Sequence, residues 1–208
     1  MILIGQFDSP FVRRVGIALE LYGLPYEHRP WSTWGDAEKI AAYNPLRRVP
    51  TLLLDDGECL IESAAILDTL DERMGPERAL LPRHGPLRRH GLQVAALATG
   101  MADKAVSLFY ERLLHPETSD KWVERCRAQI GDVLRALDAD RARRTTVHWL
   151  GETLSHADIA VACALRFTSE AHPGAFDLSA FSALAAHARA CEALPVFQRI
   201  AQPFFVQT

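Results

Sequence analysis

Residues 49–63 read Val49-Pro50-Thr51-Leu52-Leu53-Leu54-Asp55-Asp56-Gly57-Glu58-Cys59-Leu60-Ile61-Glu62-Ser63, two short apolar runs on either side of an acidic Asp-Gly turn. Asp-Gly tolerates the positive φ angles of a tight hairpin, so Thr51–Leu54 and Cys59–Ile61 are expected as antiparallel strands. Ser63–Met74 follows as a helix with Ser63 as its cap and Ala65, Ile66, Leu67 and Leu70 buried. Upstream, Ile2–Phe7 has the β-branched character of a buried strand. Phe11, Val15, Ala18, Leu19 and Tyr22 then recur at helical spacing until Gly23. Tyr26–Trp31 is extended again, and Ala37–Tyr43 is a short helix stopped at Asn44-Pro45. The order βαβ, helix, ββα contains one parallel crossover and one hairpin, which makes a small mixed sheet with helices on its faces.

Downstream the texture changes. Gly75, Pro76, Pro82, Gly85 and Pro86 mark residues 76–86 as a linker. Beyond it no strand pattern occurs. Leu87–Leu114, Thr118–Arg141, Ser155–Ser169, Ser179–Ala190 and a last segment after Pro195 read as helices, with alanine at many contact positions. The fold class is therefore an α/β domain over residues 1–75 followed by an all-α domain over 87–208.

Composition limits the function. The 208 residues carry 23 Lys+Arg against 26 Asp+Glu, a formal charge of -3. That balance offers no general attraction for a nucleic-acid backbone or an anionic membrane. No run approaches the ~20 apolar residues of a membrane span. The opening MILIGQFDSPF lacks a basic leader and reads as a strand rather than a signal peptide. Cys59, Cys126, Cys163 and Cys191 are scattered without CxxC, which suits a reducing cytoplasm and neither disulfides nor a metal site. Phosphate-loop, nucleophile-elbow and zincin patterns are absent.

Three short motifs carry chemistry. Ser9-Pro10-Phe11 stands where the first strand meets the first helix. Ser9 is a good N-cap, and a helix N-terminus beside a hydroxyl also attracts an anion. Val49-Pro50 is either a trans turn or a cis bond; the latter would present the Val49 backbone to an extended peptide as an added strand. Glu62-Ser63 could hold the ammonium and carboxylate of an amino-acid terminus. Leu154-Ser155-His156-Ala157-Asp158-Ile159 contains Ser, His and Asp but lies within one helical turn; it reads as a capping box with a hydrophobic staple, not a catalytic triad.

In order and spacing, Ser9-Pro10-Phe11, Asn44-Pro45-Leu46-Arg47-Arg48-Val49-Pro50 and Glu62-Ser63 together resemble the glutathione S-transferase superfamily, and Gly151 with the 154–159 stretch resembles its second-domain capping motif. The likeness is greatest to small bacterial members with serine at the first helix, the YibF-like group. The resemblance implies a thioredoxin-like domain followed by a helical one, and a homodimer. It implies glutathione as co-substrate, with Ser9 donating to the sulfur and Val49, held by cis-Pro50, pairing with the cysteinyl backbone. Glu62 and Ser63 would hold the γ-glutamyl end, Arg48 would reach the glycyl carboxylate, and Phe11 would line the same site. Phe7, Phe11, Met101, Phe109 and Tyr110 would line a pocket for a small hydrophobic electrophile. Asp103 corresponds to an acid offered by the dimer partner, although Thr99 stands where related sequences can carry Asp. Cysteine members act as thiol reductases, and serine at position 9 excludes that turnover here. The alternative is a non-catalytic binding protein on the same fold.

Overall fold

The structure, a computed structural model, describes residues 1–205. The chain divides into two compact units, residues 1–83 with the segment from Leu194 on, and His84–Ala193. In the first unit, strands β1 (Ile2–Ile4), β2 (Glu27–Arg29), β3 (Thr51–Leu53) and β4 (Cys59–Ile61) form one sheet in the order β2-β1-β3-β4. β1 runs parallel to β2 and antiparallel to β3, which pairs antiparallel with β4. The hairpin forms at the Asp-Gly turn, where Gly57 takes φ +93° and Glu58 N donates to Asp56 Oδ1. This is the mixed sheet that the sequence pattern implies.

Helices α1 (Pro10–Tyr22) and α3 (Ser63–Met74) supply Val12, Val15, Ala18, Leu19, Ile66, Leu67 and Leu70 to a core that includes Leu3 and Leu52, cross-strand partners in the ladder. A short helix, α2 (Ala37–Ala41), buries Ile40. Gly23 ends α1 in the left-handed conformation that a Cβ disfavours. Beneath α1 and α3, the Asp71 carboxylate accepts from Tyr22 Oη, from Leu80 N at 3.1 Å and from Leu81 N at 3.2 Å. Asp71 thereby stitches the proline-rich linker to the first unit, and burial together with this bond raises the Tyr22 pKa.

Residues after Pro195, expected as the end of the helical domain, group instead with the first unit. The reason is a buried cation on α1. Arg13 is 2% exposed, donates Nε to Ile200 O at 2.7 Å and a terminal nitrogen to Phe197 O at 2.9 Å, and lies over the Phe197 ring. Those carbonyls belong to the end of a short helix α8 (Pro195–Arg199), where a positive charge is favourable.

The second unit holds α4 (Gly85–Leu114), α5 (Asp120–Ala142), α6 (His156–Ala171) and α7 (Ser182–Glu192). Ala95, Ala98, Ala102 and Ala105 on α4 and Ala157, Ala160 and Ala164 on α6 are buried, and His172 Nε2 meets Ala105 O at 2.8 Å. The helix expected from Ser179 is broken: Asp177 accepts from Ser179 N, a 3-10 turn covers Leu178–Ala180, and α7 starts at Ser182. The capping box forms as expected. Asp158, fully buried, accepts from Ser155 N and Trp149 N, each at 2.8 Å.

His187 Nε2 lies 3.4 Å from Asp158 Oδ1 and 3.5 Å from Cys191 Sγ, with the buried Trp149 edge-on to its ring. Burial depresses the His187 pKa to about 4; the Asp158 carboxylate opposes the shift, while Arg141 and His148 add to it. The folded-state pKa lies below the unfolded value, so the unfolded chain takes up this proton first. Stability should therefore fall as pH drops from about 6.5 toward 4. Urea midpoints at pH 7.5, 6.5 and 5.5 check this. His187→Gln should flatten the slope between the last two, and an unchanged slope would show that His187 is not its source.

Candidate functional site

The sheet register decides which residues meet. Ile4 pairs with Thr51, and Thr51 pairs with Ile61. The chain leaving β1, the chain entering β3 and the chain leaving β4 therefore lie at one end of the sheet. These are the segments that carry Ser9, Val49-Pro50 and Glu62-Ser63. Backbone pairing thus brings the segments that carry the three motifs to one end of the sheet.

After β1 the chain turns at Gly5, whose φ is +128°. A Cβ there would lie 2.5 Å from Val12 Cγ2 and 2.8 Å from Val49 Cβ, so only glycine lets the segments of Ser9 and Val49 come this close. Ser9 is the N-cap of α1: Oγ accepts from Val12 N at 3.4 Å, Ser9 O accepts from Arg13 N at 2.9 Å, and Pro10 fills the first helical position. A hydroxyl that accepts in this way keeps its own proton for donation. No acidic side chain occupies the first turn of α1 itself.

Val49-Pro50 is a cis peptide bond, the second of the two options its sequence allowed. Ahead of it, Asn44 organises the loop, and Arg47 takes φ +53°. At the third segment the cap differs from expectation. Glu62, with φ +65° and ψ +119°, is the N-cap of α3, and Ser63 is its first helical residue, 5% exposed. The Glu62 side chain does not cap the helix; it reaches the Arg48 guanidinium at 3.5 Å, and both side chains are about half exposed. The first turn of α3 also lacks an acid.

Phe7 is partly buried, stacked on His28 with ring centroids 3.9 Å apart, and its N–H donates to Gln202 Oε1 at 3.2 Å. Gly16 makes room for it, since a Cβ there would lie 2.7 Å from Phe7 Cε1. Phe11 is partly exposed on the first turn of α1. Met101, Phe109 and Tyr110 belong to the second unit: Met101 is fully buried, and Phe109 packs edge-on to Tyr110. Asp103 is exposed on α4, and Thr99 Oγ1 donates to its own helix at Ala95 O. Burial raises the thiols of Cys59 and Cys126, and pushes that of Cys191 up to about 12, so these cysteines remain protonated at neutral pH. Among the described residues no cluster of three or more His, Cys, Asp or Glu could hold a metal, and no helix is long and apolar enough to cross a membrane.

Sequence reasoning missed Gly5 and Gln202 and read Asn44 only as part of the 44–50 motif. Gly5 falls inside the expected strand Ile2–Phe7, Asn44 acts within its own loop on Leu46 and Arg48, and Gln202 reaches Phe7 from 195 positions along the chain.

The architecture, a small four-stranded mixed-sheet unit followed by a helical unit, is the glutathione S-transferase fold. Family models for the N-terminal and C-terminal domains of glutathione S-transferase match residues 8–73 and 120–190. The chain belongs to the glutathione S-transferase family. It is 31% identical over 171 residues to the uncharacterised GST-like protein YibF of Escherichia coli, covering 80% of this chain and 81% of YibF. It is 33% identical to a maleylacetoacetate isomerase of Pseudomonas aeruginosa, over 74% of this chain and 66% of that one. A glutathione S-transferase from Methylobacterium radiotolerans, solved in complex with glutathione sulfonate, superposes with a TM-score of 0.90 at 29% identity, covering 100% of this chain and 98% of the other.

The close approach at Gly5 has a measurable cost. Gly5→Ala should destabilise the protein by about 2–4 kcal/mol, because the new Cβ meets a disallowed φ and the fixed Cβ of Val49. Gly100→Ala on α4, with open space around it, should instead stabilise by about 0.5–1 kcal/mol. Denaturant titration of the two variants compares them, and equal midpoints would refute the steric argument.

Proposed function

We propose that the protein is a glutathione transferase that binds glutathione in the first unit, activates its thiol and transfers it to a small hydrophobic electrophile. The convergence of Ser9, Val49-Pro50 and Glu62-Ser63 through the β1–β3–β4 register carries this reading. The Val49 backbone pairs with the cysteinyl part of the tripeptide as a short added strand. Glu62 takes the ammonium of the γ-glutamyl end, while Ser63 and the α3 N-terminus take its carboxylate. Arg48 takes the glycyl carboxylate, and Phe11 flanks the tripeptide.

A free thiol has a pKa near ~8.5. The Ser9 hydroxyl and the α1 N-terminus favour the thiolate, so the thiol proton passes to solvent and the sulfur is left nucleophilic. It attacks the electrophile, forming the S–C bond as the leaving group departs with the bonding pair. The protein's own cysteines with raised pKa values do not compete. Phe109 and Tyr110, packed edge-on in the second unit, are the candidates for the electrophile's surroundings; Met101, expected beside them, is fully buried. The reading includes a cytoplasmic homodimer; the exposed apolar side chains of Trp34 and Leu46 favour association.

A second reading, glutathione-dependent isomerisation, is favoured by the likeness to a maleylacetoacetate isomerase. A thiolate that adds to a conjugated double bond and leaves again after rotation returns glutathione unchanged. Following glutathione consumption alongside substrate loss separates the two.

Ser9→Ala should lower turnover of a generic aryl halide about 10- to 100-fold. Glutathione affinity should stay within about twofold, because the peptide is held elsewhere. The thiolate absorbance of the complex should titrate at higher pH. Equal titration and equal turnover would reduce Ser9 to a helix cap. Glu62→Gln should divide the effects the other way, weakening glutathione binding by about 1–3 kcal/mol in calorimetry. Wild-type binding no tighter than that of Glu62→Gln would remove the γ-glutamyl assignment.

A further inference from the structure

The loop joining α2 to β3 has no regular secondary structure, and the Asn44 side chain makes three of the hydrogen bonds that hold its path. Asn44 is 1% exposed. Its Nδ2 donates to Arg48 O at 2.9 Å and to Thr51 Oγ1 at 3.3 Å, and its Oδ1 accepts from Leu46 N at 3.0 Å. Its main chain is committed as well: Asn44 N donates to Ile40 O at 2.8 Å, and Asn44 O accepts from Arg47 N at 2.9 Å. Thr51, fully buried at the start of β3, closes the circuit by donating Oγ1 to Arg48 O at 3.4 Å.

Two donors therefore converge on the Arg48 carbonyl from the buried side. The Arg48–Val49 peptide is trans, so its N–H points away from its C=O within one rigid plane. Fixing the carbonyl inward fixes the Val49 N–H outward, without any contact to Val49 itself.

We propose that Asn44 is a positioning residue for the peptide substrate: by holding Arg48 O, it aims the Val49 N–H at the cysteinyl carbonyl of glutathione. The proposal rests on the glutathione reading of the site. The chemistry suits asparagine. Aspartate would set a carboxylate oxygen against the Arg48 carbonyl, and alanine would leave that part-buried carbonyl with one donor fewer. One planar amide supplies the donor for Arg48 and the acceptor for Leu46 together.

The test is a calorimetric cycle with two ligands, glutathione and its isostere with a trans-alkene in place of the cysteinyl–glycine amide. The isostere keeps the shape and removes the carbonyl acceptor. Wild type should bind glutathione about 5- to 30-fold more tightly than the isostere, the range for one hydrogen bond. Asn44→Asp keeps the acceptor for Leu46 N and loses the donor. It should raise the Kd of glutathione about tenfold and leave that of the isostere nearly unchanged, so the preference collapses. Thr51→Val removes the second donor and should show the same pattern at about two- to threefold; it decides the matter should Asn44→Asp fail to fold.

A general loosening of the loop would raise both dissociation constants by the same factor, and that result overturns the proposal. So does an unchanged preference in the variants. Absence of glutathione binding by wild type would overturn the reading of the site itself, and the role of Asn44 with it.

Discussion

The hydrogen-bonded line Ile4–Thr51–Ile61 is the constraint on which the rest of the first unit depends. Strands of three residues have little intrinsic preference for one register, so other forces must choose it. Leu3 and Leu52 do so from the core: both are fully buried against α1 and α3, and a one-residue slip would turn them to the opposite face. The Asp-Gly turn does so from the hairpin, where Leu54 N donates to Glu58 O and Gly57 N to Leu54 O. Hydrophobic burial and turn chemistry thereby set where the segments of Ser9, Val49 and Glu62 meet.

The elements were legible wherever periodicity and punctuation agreed. Gly23, Asp56-Gly57 and the Ser155–Asp158 box each bound an element in the structure, while the helix expected to run from Ala37 to Tyr43 already ends at Ala41. The site was legible as three motifs, because each sits at a strand–helix or loop–strand junction where special residues are required. What stayed hidden was non-local. Ser63 carries the composition of a cap, but the backbone of Glu62 turns one residue earlier and pushes Ser63 into the helix. The attachment of residues after Pro195 depends on Arg13, some 187 positions away from Ile200 in the chain. The Asp158–His187–Cys191 cluster joins two helices across the second unit, and no spacing rule relates its members.

Electrostatics gives the site a common theme. α1 and α3 both begin at the end of the sheet defined by the register, and both lack an acid in the first turn, where one is usually favourable. Glu62, at the N-cap of α3, turns its carboxylate to Arg48 instead of capping the helix. Ser9 shows how capping and chemistry share one hydroxyl. The oxygen lone pair serves Val12 N, while the proton is left for an acceptor outside the helix. A cap of the same strength could be made by Asp, but its negative charge would oppose a thiolate; serine satisfies the helix and remains neutral.

The Arg48–Glu62 pair extends that argument to binding. Each partner is about half exposed, and the separation is 3.5 Å, so the pair contributes only about 0–1 kcal/mol to the folded protein. On the proposed reading, glutathione brings an ammonium to Glu62 and a carboxylate to Arg48. One weak ion pair is then exchanged for two new ones, and neither side chain has to be stripped of an opposite charge without replacement. The desolvation that makes buried charges costly has little part in such an exchange. Its contribution lies in selection: a tripeptide with both termini replaces this contact for both side chains, whereas a ligand with one terminus replaces it for only one. Charge complementarity of this kind sets which peptide is accepted more than how tightly it is held.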